Sequence, residues 1–267
     1  MSLARDKRQT RLPAPYLKRL TLQDDKMANK TGYPFDLPWL RDESFDLRFT
    51  TPVTIIIGEN GTGKSTLVEA IAALCGYDEA GGGKGYSPVD HDRAIDKSGA
   101  GLAEMFRGAW LPKVTTGWFF KAETFFSVAR YLDVAALDDL RPGAPPPPDF
   151  LSWSHGEGFV RFFEERMSRQ GIYFMDEPES ALSPKRQLEL VRILNTIQER
   201  ATAQVIAATH SPILMALPGA RLLEITRHGI QETNYRDTQH FKLYRSFTSD
   251  PEQFIADAIG EEGEFEF

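Results

Sequence analysis

Residues 52–66 read PVTIIIGENGTGKST. Pro52 to Gly58 form a short, β-branched apolar run, the composition of a strand buried on both faces. Gly58, Gly63, Lys64 and Ser65 then fill the pattern G-x-x-x-x-G-K-[ST]. Behind them KSTLVEAIAALCG (64–76) sets Leu67, Val68, Ile71, Leu74 and Cys75 on one helical face, with Gly76 as its stop. A strand, a glycine loop and a helix N-terminus in that order turn successive backbone N–H groups onto phosphate oxygens. Glu59, Asn60, Gly61, Thr62, Gly63, Lys64, Ser65 and Thr66 are therefore expected to hold a nucleotide's phosphates. Lys64 is placed to reach the β- and γ-phosphates, Ser65 to ligate Mg²⁺ and Thr66 to contact the α-phosphate. A purely structural glycine turn has no need of a lysine followed by a hydroxyl.

A second apolar strand, IYFMDEP (172–178), ends in two carboxylates. Asp176 is expected to hold Mg²⁺ through water. Successive strand residues point to opposite faces, so Glu177 is free to aim at the attacking water as general base. Pro178 ends the strand, and ESALSP leads into a helix over 183–200 with Ser183 as N-cap and Pro184 at its first position. After the next strand, AQVIAATHS, His210 stands on the edge where α/β sheets bind ligands. It is expected to contact the γ-phosphate.

The remainder supports an α/β core with a mostly parallel sheet. YLKRLTL (16–22) and FDLRF (45–49) alternate as half-buried strands and give an N-terminal antiparallel part. Residues 77–117 are Gly-rich and polar, with no element placed. GWFFKAETFFS (117–127) reads as a strand, four prolines at 145–148 as an extended segment, and GFVRFFEERMSRQG as a helix. In that helix Phe159, Phe162, Phe163, Arg166 and Met167 keep helical spacing. RLLEITRHGIQETNY is a hairpin turning at His228–Gly229, and Asp250-Pro-Glu-Gln253 opens a last helix. A chain of 267 residues with 41% hydrophobic and 26% charged content is ordinary globular material. Net charge −7 argues against wholesale coating of a polyanion and leaves room for a local basic patch. The lone Cys75 excludes an internal disulfide framework. There is no apolar run long enough to span a bilayer and no signal-peptide core at the start, so a cytoplasmic protein without membrane insertion is expected.

The stretch LSWSHGEGFV (151–160) invites a Ser-His-Glu reading, but adjacent residues do not easily orient one another as nucleophile, base and orienter. Phosphate loop, Asp-Glu strand end, SALS loop and strand-end histidine together resemble the ABC class of ATPases, and within it the soluble bacterial ATPases labelled AAA family, similar to SMC- and RecF-type heads. The resemblance covers about residues 45 to 230. It implies ATP and Mg²⁺ as ligands and ATP hydrolysis as the activity. WSHGE occupies the place of the class's signature segment, so Ser154, Gly156 and Glu157 are implied to cap the γ-phosphate of a second subunit, with His155 replacing a glycine. Two protomers would then dimerise head to tail around two ATP molecules, with Ser180 to Ser183 crossing the interface.

By the same resemblance the chain is one ATPase domain. Residues 16–76 and 171–236 form the nucleotide-binding core, 77–170 an inserted helical lobe bearing the signature, and 237–267 C-terminal helices. The usual glutamine between lobe and metal has its best positional match in Glu123, a candidate metal ligand. Phe45 and Phe49 are candidates for stacking on adenine, against core packing. No heptad pattern lies between residues 66 and 154, which excludes a coiled-coil arm. The expected function is a stand-alone ATPase acting on a macromolecular partner, nucleic acid among the classes considered. The alternative is the ATP-binding subunit of an ABC transporter. A nucleotide-gated scaffold is disfavoured by Glu177, and a P-loop kinase or small GTPase leaves Glu177, SHGE and His210 without a joint explanation.

Overall fold

The computed structural model of the chain describes residues 10–27, 30–40, 45–84, 98–114, 116–124 and 155–260. Their strands in chain order are β1 (Leu17–Leu22), β2 (Asp46–Arg48), β3 (Val53–Gly58), β4 (Gly82–Gly83) and β5 (Phe106–Trp110). Then follow β6 (Gly117–Lys121), β7 (Ile172–Asp176), β8 (Gln204–Ala208), β9 (Arg221–Thr226) and β10 (Gly229–Thr233). The helices are α1 (Asp24–Met27), α2 (Lys64–Leu74), α3 (Ser98–Ala103), α4 (His155–Met167), α5 (Pro184–Arg200), α6 (Pro212–Met215), α7 (Gln239–Ser249) and α8 (Pro251–Gly260).

One sheet has the order β10-β9-β3-β8-β7-β6-β4, the other β2-β1-β5. In the large sheet β9, β3, β8, β7 and β6 pair in parallel, and β10 and β4 close the edges antiparallel. Its inner strands are apolar on both faces, as parallel strands covered twice must be. On one face Val53, Ile55, Ile57, Phe120 and Met175 pack against Phe159 and Phe163 of α4 and Leu190 and Leu194 of α5. On the other, Ile56, Phe119, Phe174 and Ile206 meet Leu67, Val68 and Ile71 of α2, with Leu17 and Leu20 of the small sheet behind. Helix α2 is thus enclosed, and even Glu69, Ala70 and Ala72, off its expected apolar face, are buried.

Several boundaries differ from the sequence reading. The stretch 77–170, expected as a separate lobe, supplies β4 and β6 to the large sheet and β5 to the small one. Its strands were hard to see because β4 has two residues and β5 alternates around Gly108 and Ala109. The proline run at 145–148 and Ser154 lie outside the described residues. The hairpin turns one residue earlier, at Arg227–His228, since Gly229 already pairs with Thr226. Ser183 holds the N-cap position of α5 without a side-chain cap bond. At α8 the cap is half made: Asp250 Oδ1 accepts from the Gln253 N–H (3.0 Å), while Gln253 Nε2 turns to Asp257.

A fully buried side chain ties the two sheets. Gln204, at the start of β8 and fully buried, accepts the Tyr16 and Leu17 N–H groups on Oε1, both at 2.8 Å. Its Nε2 donates to the Leu17 carbonyl at 3.0 Å. Gln204→Ala is expected to lower stability by about 3 kcal/mol, since it leaves buried backbone groups unpaired. A urea titration should show the lowered midpoint with an unchanged slope.

Candidate active site

The parallel register brings the carboxyl ends of β3, β8 and β7 to one edge, with Ile56 opposite Ala208 and Ala208 opposite Asp176. The chain leaves β3 through Gly58 at φ +147, where an added Cβ would stand 2.5 Å from the Ile225 carbonyl oxygen. Gly63, at φ +88, opens α2 beneath Leu37 and Trp39, and its Cβ would fall 2.9 Å from Leu37. Trp39 Nε1 donates to the Thr62 carbonyl (2.9 Å) and Thr62 Oγ1 to that of Glu59 (2.8 Å), which closes the loop on itself. Glu59, Asn60 and Gly61 are exposed at its rim. Lys64 is buried, and its Nζ donates to the Glu59 carbonyl at 2.8 Å. Burial pulls the Lys64 pKa down, and the carboxylates of Glu177, Asp176, Glu179 and Glu59 oppose that.

Asp176 ends β7 on the face that carries α2. Its carboxylate is buried and takes a hydrogen bond from Ser65, the second residue of the helix that the loop launches. Burial pushes its pKa up to about 7, with Ser65 and Lys121 pulling the other way. Oδ1 is buried with no hydrogen-bond partner among the described residues. An unpartnered carboxylate oxygen beside a serine hydroxyl suits Mg²⁺, which binds through one or two protein oxygens and takes the rest from phosphates and water. The residues present therefore fit the ion. Consistent with that economy, no group of three or more acidic, histidine or cysteine ligands occurs among the described residues.

Glu177 escapes the metal by a different route from strand alternation. Its backbone is left-handed at φ 46, ψ 51, outside the strand, and it opens a 3-10 turn over Pro178–Ala181. A non-glycine residue held there costs of order 1 kcal/mol, a strain that clusters at functional sites. The turn is held by the Glu177 carbonyl accepting from Ser180 Oγ (2.5 Å) and by the Glu177 N–H donating to Ala208 (3.0 Å). Half-exposed, its carboxylate Oε1 lies 3.8 Å from His210 Nε2, which is buried and has no hydrogen-bond partner among the described residues. Glu179 holds the His210 backbone N–H at 2.5 Å. Burial, then Lys64, lower the His210 pKa against the pull of Glu177, so its imidazole is neutral at pH 7.

Lys64, Ser65, Asp176, Glu177 and His210 are thus brought together, with Thr66 beside them. Glu123 is not. Its carboxylate is 82% exposed and 3.9 Å from Lys121 Nζ, and it makes no hydrogen bond to Ser65 or Asp176 among the described residues. Phe45 stacks on Phe106 (5.4 Å) and Phe49 is 2% exposed, so both belong to the core rather than to an adenine. Of the signature residues, Ser154 lies outside the described residues, while Gly156 and Glu157 fall in the first turn of α4.

Sequence reasoning missed three residues. Tyr33 is 56% exposed and its hydroxyl lies 2.5 Å from Thr66 Oγ1. Lys121, opposite Asp176 in the register, is buried in an ion pair with Glu69 of α2 (2.5 Å). His240 of α7 sets its ring 5.8 Å from that of His210. A lysine ending an aromatic strand, in GWFFK, was the one local signal available.

Two family models match the chain. One, described as an AAA domain, covers residues 35–116. The other, over residues 142–216, is an AAA domain whose description associates it with the AbiEii toxin of type IV toxin–antitoxin systems. Curated relatives include the ribose import ATP-binding protein RbsA of Jannaschia sp. (strain CCS1), 26% identical over 68% of this chain and 38% of that protein. The molybdenum import ATP-binding protein ModC of Mesorhizobium japonicum is 26% identical over 64% of this chain and 49% of its own length. The chain thus spans less than half of the relatives it matches. Among solved structures, a chain of a metal-chelate type ABC transporter in an inward-facing conformation aligns at TM-score 0.43 and 16% identity, over 73% of this chain and 77% of that one.

The charge on Asp176 is measurable through pH. Its folded pKa of about 7 lies above the ordinary 3.8, so the folded state binds this proton more tightly than the unfolded chain. That stabilisation is complete below the unfolded value and is lost as pH rises through the folded one. Without nucleotide or Mg²⁺, the stability of the wild type relative to Asp176→Asn should therefore fall between about pH 4 and about pH 7 and level off above. Urea midpoints across that range check it. A flat difference would mean that Ser65 and Lys121 fully compensate the charge.

Proposed function

Because the chain is an ABC-class P-loop ATPase of the AAA type, we propose that it hydrolyses ATP at a site completed by a second copy of itself. The observation that carries this reading is the convergence of Lys64, Ser65, Asp176, Glu177 and His210 on one sheet edge. A kinase-like phosphate loop alone would not place a strained glutamate and a neutral imidazole within 3.8 Å of each other.

In this reading the backbone N–H groups of residues 59–66 hold the phosphates, and Lys64 exchanges the Glu59 carbonyl for β- and γ-phosphate oxygens. Ser65 and Asp176 would hold Mg²⁺, which would supply positive charge to offset that of the phosphates. Glu177, solvent-accessible and turned out of the strand, orients a water in line with the γ-phosphate and takes its proton. His210 meets the γ-phosphate as a neutral donor. Tyr33, tethered to Thr66, presents its ring toward the nucleoside. Ser154, Gly156 and Glu157 belong to the facing protomer's γ-phosphate, and the turn from Ser180 to Ser183 lies along the junction. Such a cycle of ATP-driven dimerisation suits cytoplasmic work on a macromolecular partner, with nucleic acid one class. The RbsA and ModC relatives favour a second reading, an ATP-binding subunit that docks to a membrane transporter. Among the described residues no helix is long and apolar enough to cross a membrane, which suits either reading.

Turnover per protomer should rise with protein concentration. Glu177→Gln is expected to lower it about 100-fold or more and to leave an ATP-bound dimer on size-exclusion chromatography. A monomeric variant with undiminished turnover would overturn the composite site. Ser154→Arg is expected to abolish that dimer while the monomer still binds a fluorescent ATP analogue. Lost binding in the monomer would move Ser154 into its own nucleotide site.

A further inference from the structure

At the opposite edge of the large sheet, where β6 and β7 begin, lies a cavity of about 970 Å³. Gly117 and Tyr173 line it, four and three residues before the strand ends that carry Lys121 and Asp176. At about 3.3 Å per residue the cavity floor is roughly 10–13 Å along the strands from the metal-binding carboxylate. Four cations line it, Lys84, Lys113, Arg166 and Arg169, against one carboxylate, Glu165. None of the four is in an ion pair among the described residues. On a chain of net charge −7 such a group of unmatched cations in one concavity is a local reversal of sign.

The walls are built rather than incidental. The Arg166 guanidinium lies over the Trp118 ring (4.7 Å) and beside that of Phe162 (5.2 Å), which holds it in place. Its Nε is buried with no hydrogen-bond partner among the described residues. The Tyr173 hydroxyl lies 2.6 Å and 2.9 Å from the Arg166 and Arg169 carbonyl oxygens and so occupies the acceptors at the end of α4. Lys84 Nζ is held on the Cys75 carbonyl at 3.1 Å. Trp118 and Tyr173 are buried and offer no face for base stacking, so recognition here runs through charge and hydrogen bonding.

We propose that this cavity binds a phosphate group, carried either by a nucleic-acid backbone or by a small phosphoester. Arginine and lysine in one concavity supply the fork and point-charge donors that phosphate oxygens accept. This site is separate from the phosphate loop, and its existence does not rest on the ATPase reading. It sits at the far end of α4 from His155, Gly156 and Glu157, so one helix of 13 residues joins it to the segment assigned to the partner's ATP.

The test uses the whole chain with its phosphate loop filled by Mg·ADP, and fluorescent ADP binding followed in parallel. A labelled single-stranded oligonucleotide is titrated by anisotropy at several salt concentrations, and inorganic pyrophosphate by calorimetry. Lys113 and Arg169 are exposed, so the double charge reversal Lys113→Glu with Arg169→Glu spares the core. It is expected to weaken oligonucleotide binding about tenfold or more and to reduce the salt slope by about two, with ADP binding unchanged. Pyrophosphate binding that is lost in the variant, without oligonucleotide binding, supports the same site with a small phosphoester as its ligand. If the wild type binds neither probe, or the variant binds as the wild type does, the proposal falls, and the cations serve only the end of α4. If the wild type fails to bind fluorescent ADP while the variant still weakens binding of either phosphate probe, the nucleotide-site reading falls and this one stands.

Discussion

The site depends on one backbone constraint, the register of four parallel strands. Ile56 of β3 lies opposite Ala208 of β8, Ala208 opposite Asp176 of β7, and Asp176 opposite Lys121 of β6. Because side chains alternate with period two, a slip of one residue in β7 would send the Asp176 carboxylate into the face packed by Phe159 and Phe163 and bring Met175 under the phosphate loop. The burial of both faces forbids that slip. It also forces the chain to leave β3 past the Ile225 carbonyl, where only a residue without Cβ fits. Loop shape and metal position follow from the same packing.

Around that frame two charges are left short of a charged partner. Asp176 is buried with one oxygen unpaired, and Lys64 rests on a carbonyl rather than on a carboxylate. Lys121 is tied to Glu69, and this pair steadies the cluster from the side of α2. Desolvation raises Asp176 and lowers Lys64 and His210, which brings all three nearer to neutrality than they would be in water. A bound cation and a polyphosphate would reverse those penalties together. That mutual dependence is the electrostatic reason for metal and nucleotide to bind as one unit.

Helix α4 links two parts of the molecule that sequence distance keeps apart. Its Phe162 and Phe163 interlock with Phe120 and Trp118 of β6 at ring separations of 4.5–5.6 Å, and Phe159 packs on Phe163 at 4.7 Å. The apolar spacing seen in the sequence is therefore a docking surface for the helix. The helix N-terminus and the cationic cavity at its other end are held on one rigid body with β6 and β7.

Some features were legible because a few contiguous residues suffice for them. A glycine loop, a lysine and a hydroxyl at a helix start specify their own geometry, and an apolar strand ending in Asp-Glu announces a sheet edge. The core strands β3, β7 and β8 and the helices α2, α4 and α5 were readable from periodicity for the same reason. Tertiary structure decided what depends on distant partners: Tyr33 on Thr66, Lys121 on Glu69, Gln204 on Leu17, at 33, 52 and 187 residues of separation. It also took β4, β5 and β6 out of the expected lobe, left Glu123 in solvent, and turned Glu177 by a left-handed backbone rather than by alternation. The sequence alone determined a glycine loop opening a helix and an apolar strand ending in two carboxylates. Which charges stand beside them, how deeply they are buried and which face they share are properties of strand order, and strand order is set by packing that no local stretch contains.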